Sequence, residues 1–233
     1  MSTEIAENLQ RIHDRIAAAA TRAGRKPDEI TLIGVSKTHP GGAIEQAFQA
    51  GLRHFGENRV QEWEGKRSVV ADLPATWHLI GHLQSNKAAK AARWFHCVDS
   101  LDDFALAQRL DRARAEGPSG DPLRVLVEVH MGEETKSGIS EDGLPELATQ
   151  LVQLSHLNFM GLMAIPPFLA DPETVRPYFA KLRELRDALE SVTGRQLPVL
   201  SMGMSHDFEA AILEGATEVR VGTALFGTRM TSP

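Results

Sequence analysis

The sequence predicts an α/β fold, a single (β/α)8 TIM-type barrel with an extra N-terminal helix, and three observations carry that prediction. Short apolar or β-branched runs alternate with longer helical patterns along the chain, and eight such runs can be placed. They are too short and too evenly apolar for an antiparallel sheet with one wet face, which favours a closed parallel barrel over an open doubly wound sheet. A chain of 233 residues with 42% hydrophobic content is long enough for one such core, so one domain over residues 1–233 is expected.

The elements follow in order. Residues 4–23 set Ile5, Leu9, Ile12, Ile16 and Ala20 on one face at helical spacing, so residues 1–25 are expected to form a helix packing on the barrel. Strand Thr31–Val35 precedes helix Ala43–Ala50, strand His54–Gly56 precedes helix Val60–Val70, and strand Trp77–Ile80 precedes helix Asn86–Arg93. Strand Phe95–Val98 leads to a helix over 101–116, Arg124–Val129 to one over 144–155, and Phe159–Met163 to one over 172–191. Strand Val199–Ser201, a helix over 206–214 and strand Val219–Val221 complete the pattern. Glu116–Pro122 reads as a solvent-side connector, and Ile165-Pro166-Pro167 halts a strand. Trp63, Trp77, Phe95 and Phe159 lie in apolar patterns and are expected in the core.

Composition excludes several function classes. With 25 basic and 31 acidic residues the formal charge is −6, which suits a soluble protein and gives no general attraction to nucleic acid or an anionic membrane. Cys97 stands alone, so neither an intrachain disulfide nor a cysteine-based zinc site can form, and a reducing compartment is expected. No apolar signal core opens the chain and no run approaches the roughly eighteen apolar residues of a membrane span, so the expected location is cytoplasmic. His78 and His82 would share a face only on a helix, whereas their stretch reads as strand and turn; no metal is assigned.

Lys37 is the first candidate for chemistry. It follows the first strand and opens the turn Thr38-His39-Pro40-Gly41-Gly42, at the barrel end where ligands bind; a partly desolvated amine there is a competent imine-forming nucleophile. By itself such a lysine simply extends its ammonium into solvent. The turn Ser201-Met202-Gly203-Met204-Ser205-His206-Asp207 adds weight, because Ser201 and Ser205 offer hydroxyls and Gly203 allows close backbone approach to an anion. The alternative is a strand-to-helix turn with a serine N-cap. Arg220-Val221-Gly222-Thr223 supplies a second turn after the last strand, where barrels commonly bind phosphate, although Arg220 could equally be a salt-bridged core residue. Glu57-Asn58-Arg59, Gly81–Lys87 and Glu133–Gly138 crowd the same rim; for the first, ordinary helix N-terminal chemistry is the competing explanation.

The chain resembles the pyridoxal-phosphate homeostasis protein family of the YggS/PROSC type, nearly end to end. The resemblance rests on Val35–Thr38, Phe55–Glu62, Trp77–Lys87, Lys136–Gly138, Gly161–Met163, Ser201–Ser205 and Arg220–Gly227. It implies a barrel similar to the N-terminal domain of alanine racemase, of fold type III, holding pyridoxal 5′-phosphate (PLP) as a Schiff base on Lys37. It further implies that Ser201, Gly203, Ser205, Gly222 and Thr223 surround the phosphate, that Arg220 approaches the pyridine nitrogen, and that Asn58 lines the pocket. A cation beside that nitrogen disfavours its protonation, so a carbanion is stabilised less and transamination is disfavoured. The resembling racemases add a second domain and a tyrosine base delivered across a dimer, whereas the only tyrosine here, Tyr178, falls in an expected outer helix.

The function so implied is binding and delivery of PLP with little or no turnover, apo PLP-dependent enzymes being the partner class and a monomer the expected state. The alternatives are a PLP-dependent amino-acid racemase and a cofactor-free interaction scaffold. Lys136 could accept an aldehyde during transfer or be a rim ammonium, and it is left outside the primary site. Two departures from the family pattern stand out: His206 replaces the usual acidic residue, and Val127-Glu128-Val129-His130 replaces a stretch in which an Asn is common, which puts a role for that strand end in doubt.

Overall fold

Apolar side chains alternating across eight short strands close into the expected barrel. The computed structural model describes residues 2–117, 120–132 and 137–227. Its strands are β1 (Thr31–Val35), β2 (His54–Glu57), β3 (Thr76–Leu79), β4 (Cys97–Leu101), β5 (Leu123–Val129), β6 (Leu157–Ala164), β7 (Val199–Ser201) and β8 (Glu218–Val221). Neighbours pair in sequence order, all parallel, and β8 returns to β1. The register Gly34↔Val221 sets the ends of β1 and β8 side by side, which brings Lys37 and the Gly222-Thr223 turn to one sector of the rim.

The helices are α1 (Ser2–Arg22), α2 (Gly41–Gln49), α3 (Val60–Val70), α4 (Ala88–Trp94), α5 (Phe104–Ala115), α6 (Leu144–Leu151), α7 (Arg176–Thr193), α8 (Phe208–Leu213) and α9 (Thr223–Phe226). None is long and apolar enough to cross a membrane among the described residues. Helix α1 lies across α2, α8 and α9 and so covers the seam where the barrel closes. Its buried stripe of Ile5, Leu9, Ile12 and Ile16 provides the packing, each fully buried aliphatic side chain contributing about 1.5–3 kcal/mol. Asn8 donates to the Leu225 carbonyl at 2.9 Å, and the Arg15 guanidinium lies over the Phe208 ring while pairing with Glu209.

Several element ends shift by a few residues from the sequence expectation, and three of the differences have a clear physical reason. Phe95 belongs to the end of α4, its N–H reaching the Ala91 carbonyl, because its ring is drawn into the aromatic cluster around Trp63. The helix expected over 172–191 begins as a 3-10 turn, Pro172–Val175, and becomes α-helical at Arg176, with Pro177 in the first turn where no N–H is needed. The helix expected from 206 starts at Phe208, because Met204 to Asp207 form a turn of their own.

The main core lies between the outer faces of the strands and the helices, and Val125, Val127 and Val129 of β5 share one buried cluster with Leu144, Leu147 and Leu151 of α6. The barrel interior is divided. Leu126, Met163 and Val199 form a small apolar cluster, whereas His78, Asp99, Glu218 and Arg220 are buried charged or polar groups.

Candidate functional site

Lys37 stands at the C-terminal end of β1 on a braced turn. Ser36, one residue earlier, is fully buried, and its hydroxyl donates to Glu57 Oε1 at 2.6 Å. Lys66 of α3 reaches under the same turn, donating to the Ser36 carbonyl at 2.8 Å and to both Glu57 oxygens at 2.8 and 3.0 Å. Burial raises the Glu57 pKa, with Lys66 and the Ser36 hydroxyl opposing the shift. On the other side Thr38 adopts a left-handed backbone, φ 66°, an outlier for a β-branched residue, and its N–H is caught by Glu62 at 2.5 Å. His39 then stacks on Phe226 at 4.9 Å, tying the β1 turn to α9. The half-buried lysine is therefore held by contacts before and after it.

Two turns face it across the rim. Gly203 has φ +91°, and a Cβ there would meet Ala211 Cβ at 2.6 Å and Phe208 Cα at 2.9 Å, so this glycine is demanded by the packing of α8 on the strand end. The Met204 N–H donates to Asp207 Oδ1 at 2.6 Å, which leaves the Ser205 hydroxyl at the turn's exposed edge, 3.5 Å from the Ala224 N–H of α9. Helices α8 and α9 are too short to add a strong dipole, so any anion here is held by local hydroxyls and N–H groups.

Arg220 forms the floor. It is 3% exposed and spends its donors on protein oxygens: Nη1 on the Ser201 carbonyl (2.7 Å) and Oγ (2.8 Å), Nη2 on the Ala164 carbonyl (2.8 Å). Burial pulls its pKa down from the ordinary value, while Asp99, Glu128, Glu218 and Asp207 oppose that. Deeper in the barrel His78 Nδ1 meets Asp99 Oδ2 at 2.8 Å and His78 Nε2 meets His54 Nδ1 at 3.1 Å. Burial alone would depress His78, but Asp99, with Cys97 beside it, reverses the sign and holds it well above its usual value. Arg124 pairs with Glu218 at the base. The ligating atoms of His78, Cys97 and Asp99 lie within 4.8 Å of one another, a grouping that the sequence spacing of His78 and His82 does not suggest.

A cavity of about 330 Å³ opens above Arg220. Of the residues singled out from the sequence, Lys37, Asn58, Ser205, Arg220, Gly222 and Thr223 line it. Ser201 and Gly203 lie beneath, the first buried with its hydroxyl taken by Arg220, the second accepting the Arg220 N–H on its carbonyl at 3.0 Å. His206 also lines the cavity, at its exposed edge, with its ring beside Phe168 and its Nε2 at 3.0 Å from the Ala170 carbonyl, while the turn itself is braced by Asp207. Lys136 lies outside the described residues.

Glu128 was not among the sequence candidates, yet it lines the cavity, 5% exposed, with Ser137 donating to it at 2.8 Å. Burial raises its pKa, with Ser137 and Arg220 pulling the other way. The available signal was a pair of charges, Arg124 and Glu128, at even spacing in an otherwise apolar strand, which places both on the barrel's inner face. Tyr178 borders a different cavity, with His130, Met131 and Lys181.

Chemically the cavity offers an amine for a carbonyl compound, hydroxyls and N–H groups for an anion, and a guanidinium that donates but cannot accept. Comparisons with known proteins agree with that set. Residues 7–230 match the family described as alanine racemase, N-terminal domain. The chain is 50% identical over 230 residues to the pyridoxal phosphate homeostasis protein of Pseudomonas aeruginosa, covering 98% of this chain and 97% of that one. The solved structure of PipY from Synechococcus elongatus with PLP bound is 41% identical, has a TM-score of 0.84, and covers 96% of this chain and 100% of that one. Alanine racemase from Corynebacterium glutamicum is 20% identical with a TM-score of 0.66, over 96% of this chain and 60% of that one, a likeness of fold alone.

Proposed function

This chain belongs to the alanine racemase N-terminal domain family and, within it, to the pyridoxal phosphate homeostasis proteins, and we propose from that footing that it binds PLP on Lys37 and releases it on demand. The observation that carries the reading is the convergence of Lys37, the Ser205 and Gly222-Thr223 turns and Arg220 on one cavity. The donor set fits the cofactor. When bound, PLP supplies an aldehyde that condenses reversibly with an amine, together with an electron-withdrawing ring.

The chain's own residues do the rest. Lys37 provides the amine, and Glu57, Lys66 and Glu62 hold its turn so that little ordering remains to be done on binding. Ser205, Thr223 and Gly222 line the cavity where they would hold the phosphate, with Ser201 and Gly203 positioning Arg220 and the turn from below. Asn58 forms part of the side wall. Arg220, already bonded to three protein oxygens, would stand toward the ring nitrogen, where its charge would disfavour protonation and so weaken the ring as an electron sink.

The reading is therefore a carrier acting as a single barrel and a monomer in the cytoplasm, supplying apo-enzymes that need the cofactor, with little turnover. The position of Tyr178 at a separate cavity supports the absence of racemase chemistry, because no tyrosine base stands opposite Lys37 among the described residues. The test is spectroscopic. Protein mixed with PLP should gain a near-ultraviolet to violet band that borohydride removes and that Lys37→Ala lacks. A colourless wild-type protein overturns the reading, and robust racemisation of alanine or serine overturns its non-catalytic part.

A further inference from the structure

Two of the motifs that carry the family resemblance, Phe55–Glu62 and Trp77–Lys87, are used only in part by the cofactor cavity. Their loop residues line a second, larger cavity of about 620 Å³ between the β2–α3 and β3–α4 connections, including Arg59, Gln61, Gln84 and Lys87. Asn58, Gly81 and His82 belong to the walls of both cavities, so the two adjoin. The partition is thin at Gly81, where a Cβ would lie 2.4 Å from the Asn58 carbonyl oxygen.

The charge in this cleft is one-sided. Arg59 and Lys87 make no side-chain hydrogen bond or ion pair among the described residues, whereas nearby Lys66 and Lys90 are tied to Glu57 and Glu64. The surrounding acids are engaged elsewhere: Glu57 by Lys66 and Ser36, Glu62 by the Thr38 N–H, Glu64 by Lys90, and Asp102 by His82 at 3.5 Å. No carboxylate lines the cleft among the described residues. In a chain of net charge −6, two unpaired cations facing one concavity with amide donors between them make a local anion trap.

We propose that this cleft is a second binding site, for a small metabolite anion bearing a carboxylate or phosphate, gripped by Arg59 and Lys87 beside the cofactor cavity. The site stands on its own geometry; its consequence, that an occupant pressing on Asn58, Gly81 and His82 changes how long the cofactor is retained, rests on the function proposed above.

The test uses protein loaded with PLP and fixed by borohydride, so that the phosphate turns are filled before any probe is added. Calorimetric titration at low salt with L-alanine, succinate and inorganic phosphate should show saturable binding of at least one, and the three probes separate carboxylate from phosphate recognition. Arg59→Gln and Lys87→Gln should each weaken that binding about tenfold, as expected for loss of one charged hydrogen bond, and added salt should weaken it in the wild type. Both positions are at least partly exposed, and both variants should load with PLP normally by absorbance. Binding of no probe, or binding that survives in the double variant, overturns the proposal. Failure to load would count against the cofactor reading alone, since the same titrations of unloaded wild type and double variant still report on the cleft.

Discussion

Replacing Lys66 with Met removes the cation that holds the Lys37 turn and leaves the Glu57 carboxylate stranded. Glu57 is 0% exposed and Lys66 11%, and the lost contacts are the Nζ bonds to Ser36 O, Glu57 Oε1 and Glu57 Oε2. Breaking a buried pair from one side costs about 3–5 kcal/mol. The residual exposure of Lys66 places this case near about 3 kcal/mol, since water can partly re-solvate the site. For a chain of this size that lowers Tm by about 6–12 °C. Burial already raises the Glu57 pKa from its ordinary 4.5, and without Lys66 it should rise further. A carboxyl whose folded pKa exceeds its unfolded one contributes stability that is present below the unfolded value and lost as pH rises through the folded one. The deficit of Lys66→Met should thus be smallest near pH 4.5 and grow toward neutrality. Circular-dichroism melts from acid to neutral pH measure it, and Glu57→Gln combined with Lys66→Met should recover part of the loss. A deficit under about 1 kcal/mol, or one independent of pH, would refute the argument.

Other substitutions probe other links. Gly203→Ala should lose about 3 kcal/mol in a denaturant titration, through a strained positive φ and the 2.6 Å clash with Ala211; a neutral result would show that α8 can move. Thr38→Gly should gain about 0.5–1 kcal/mol in the same titration by relieving the left-handed backbone, net of glycine's greater freedom when unfolded, while PLP uptake slows if the strain helps to aim Lys37. His54 is held down to about 4, first by burial and then by the His78 charge. Its stabilising contribution should therefore be present above 6.5 and disappear as pH falls through about 4, and its ring resonances should show no titration near 6.5.

The barrel was legible because outward-facing strand residues are apolar at every turn of the βα pattern, and strand ends such as Val35 and Ser201 are marked by the polar turns after them. The rim was legible for the same reason: Lys37, Asn58, Ser205, Gly222 and Thr223 lie within four residues of strand ends, so topology alone gathers them. What sequence hid was depth. Ser201 and Gly203 precede Ser205 by only a few positions, yet they face down toward Arg220, a distinction set by the pleat of β7 and the packing of α8. Glu128 and the His78–Asp99 pair were hidden because each charge finds its partner outside its own strand, Asp99 on the neighbouring strand and Ser137 in the segment after β5, a relation with no fixed spacing along the chain. Phe95 read as strand because an apolar run of that length does not distinguish a helix end from a strand start.

The central claim is a covalent one at a single side chain. Peptide mass spectrometry after PLP loading and borohydride reduction should find the phosphopyridoxyl adduct on the peptide containing Lys37, and the Lys37→Ala variant should lack it. An adduct confined to another lysine, or no adduct in the wild type, would contradict the account.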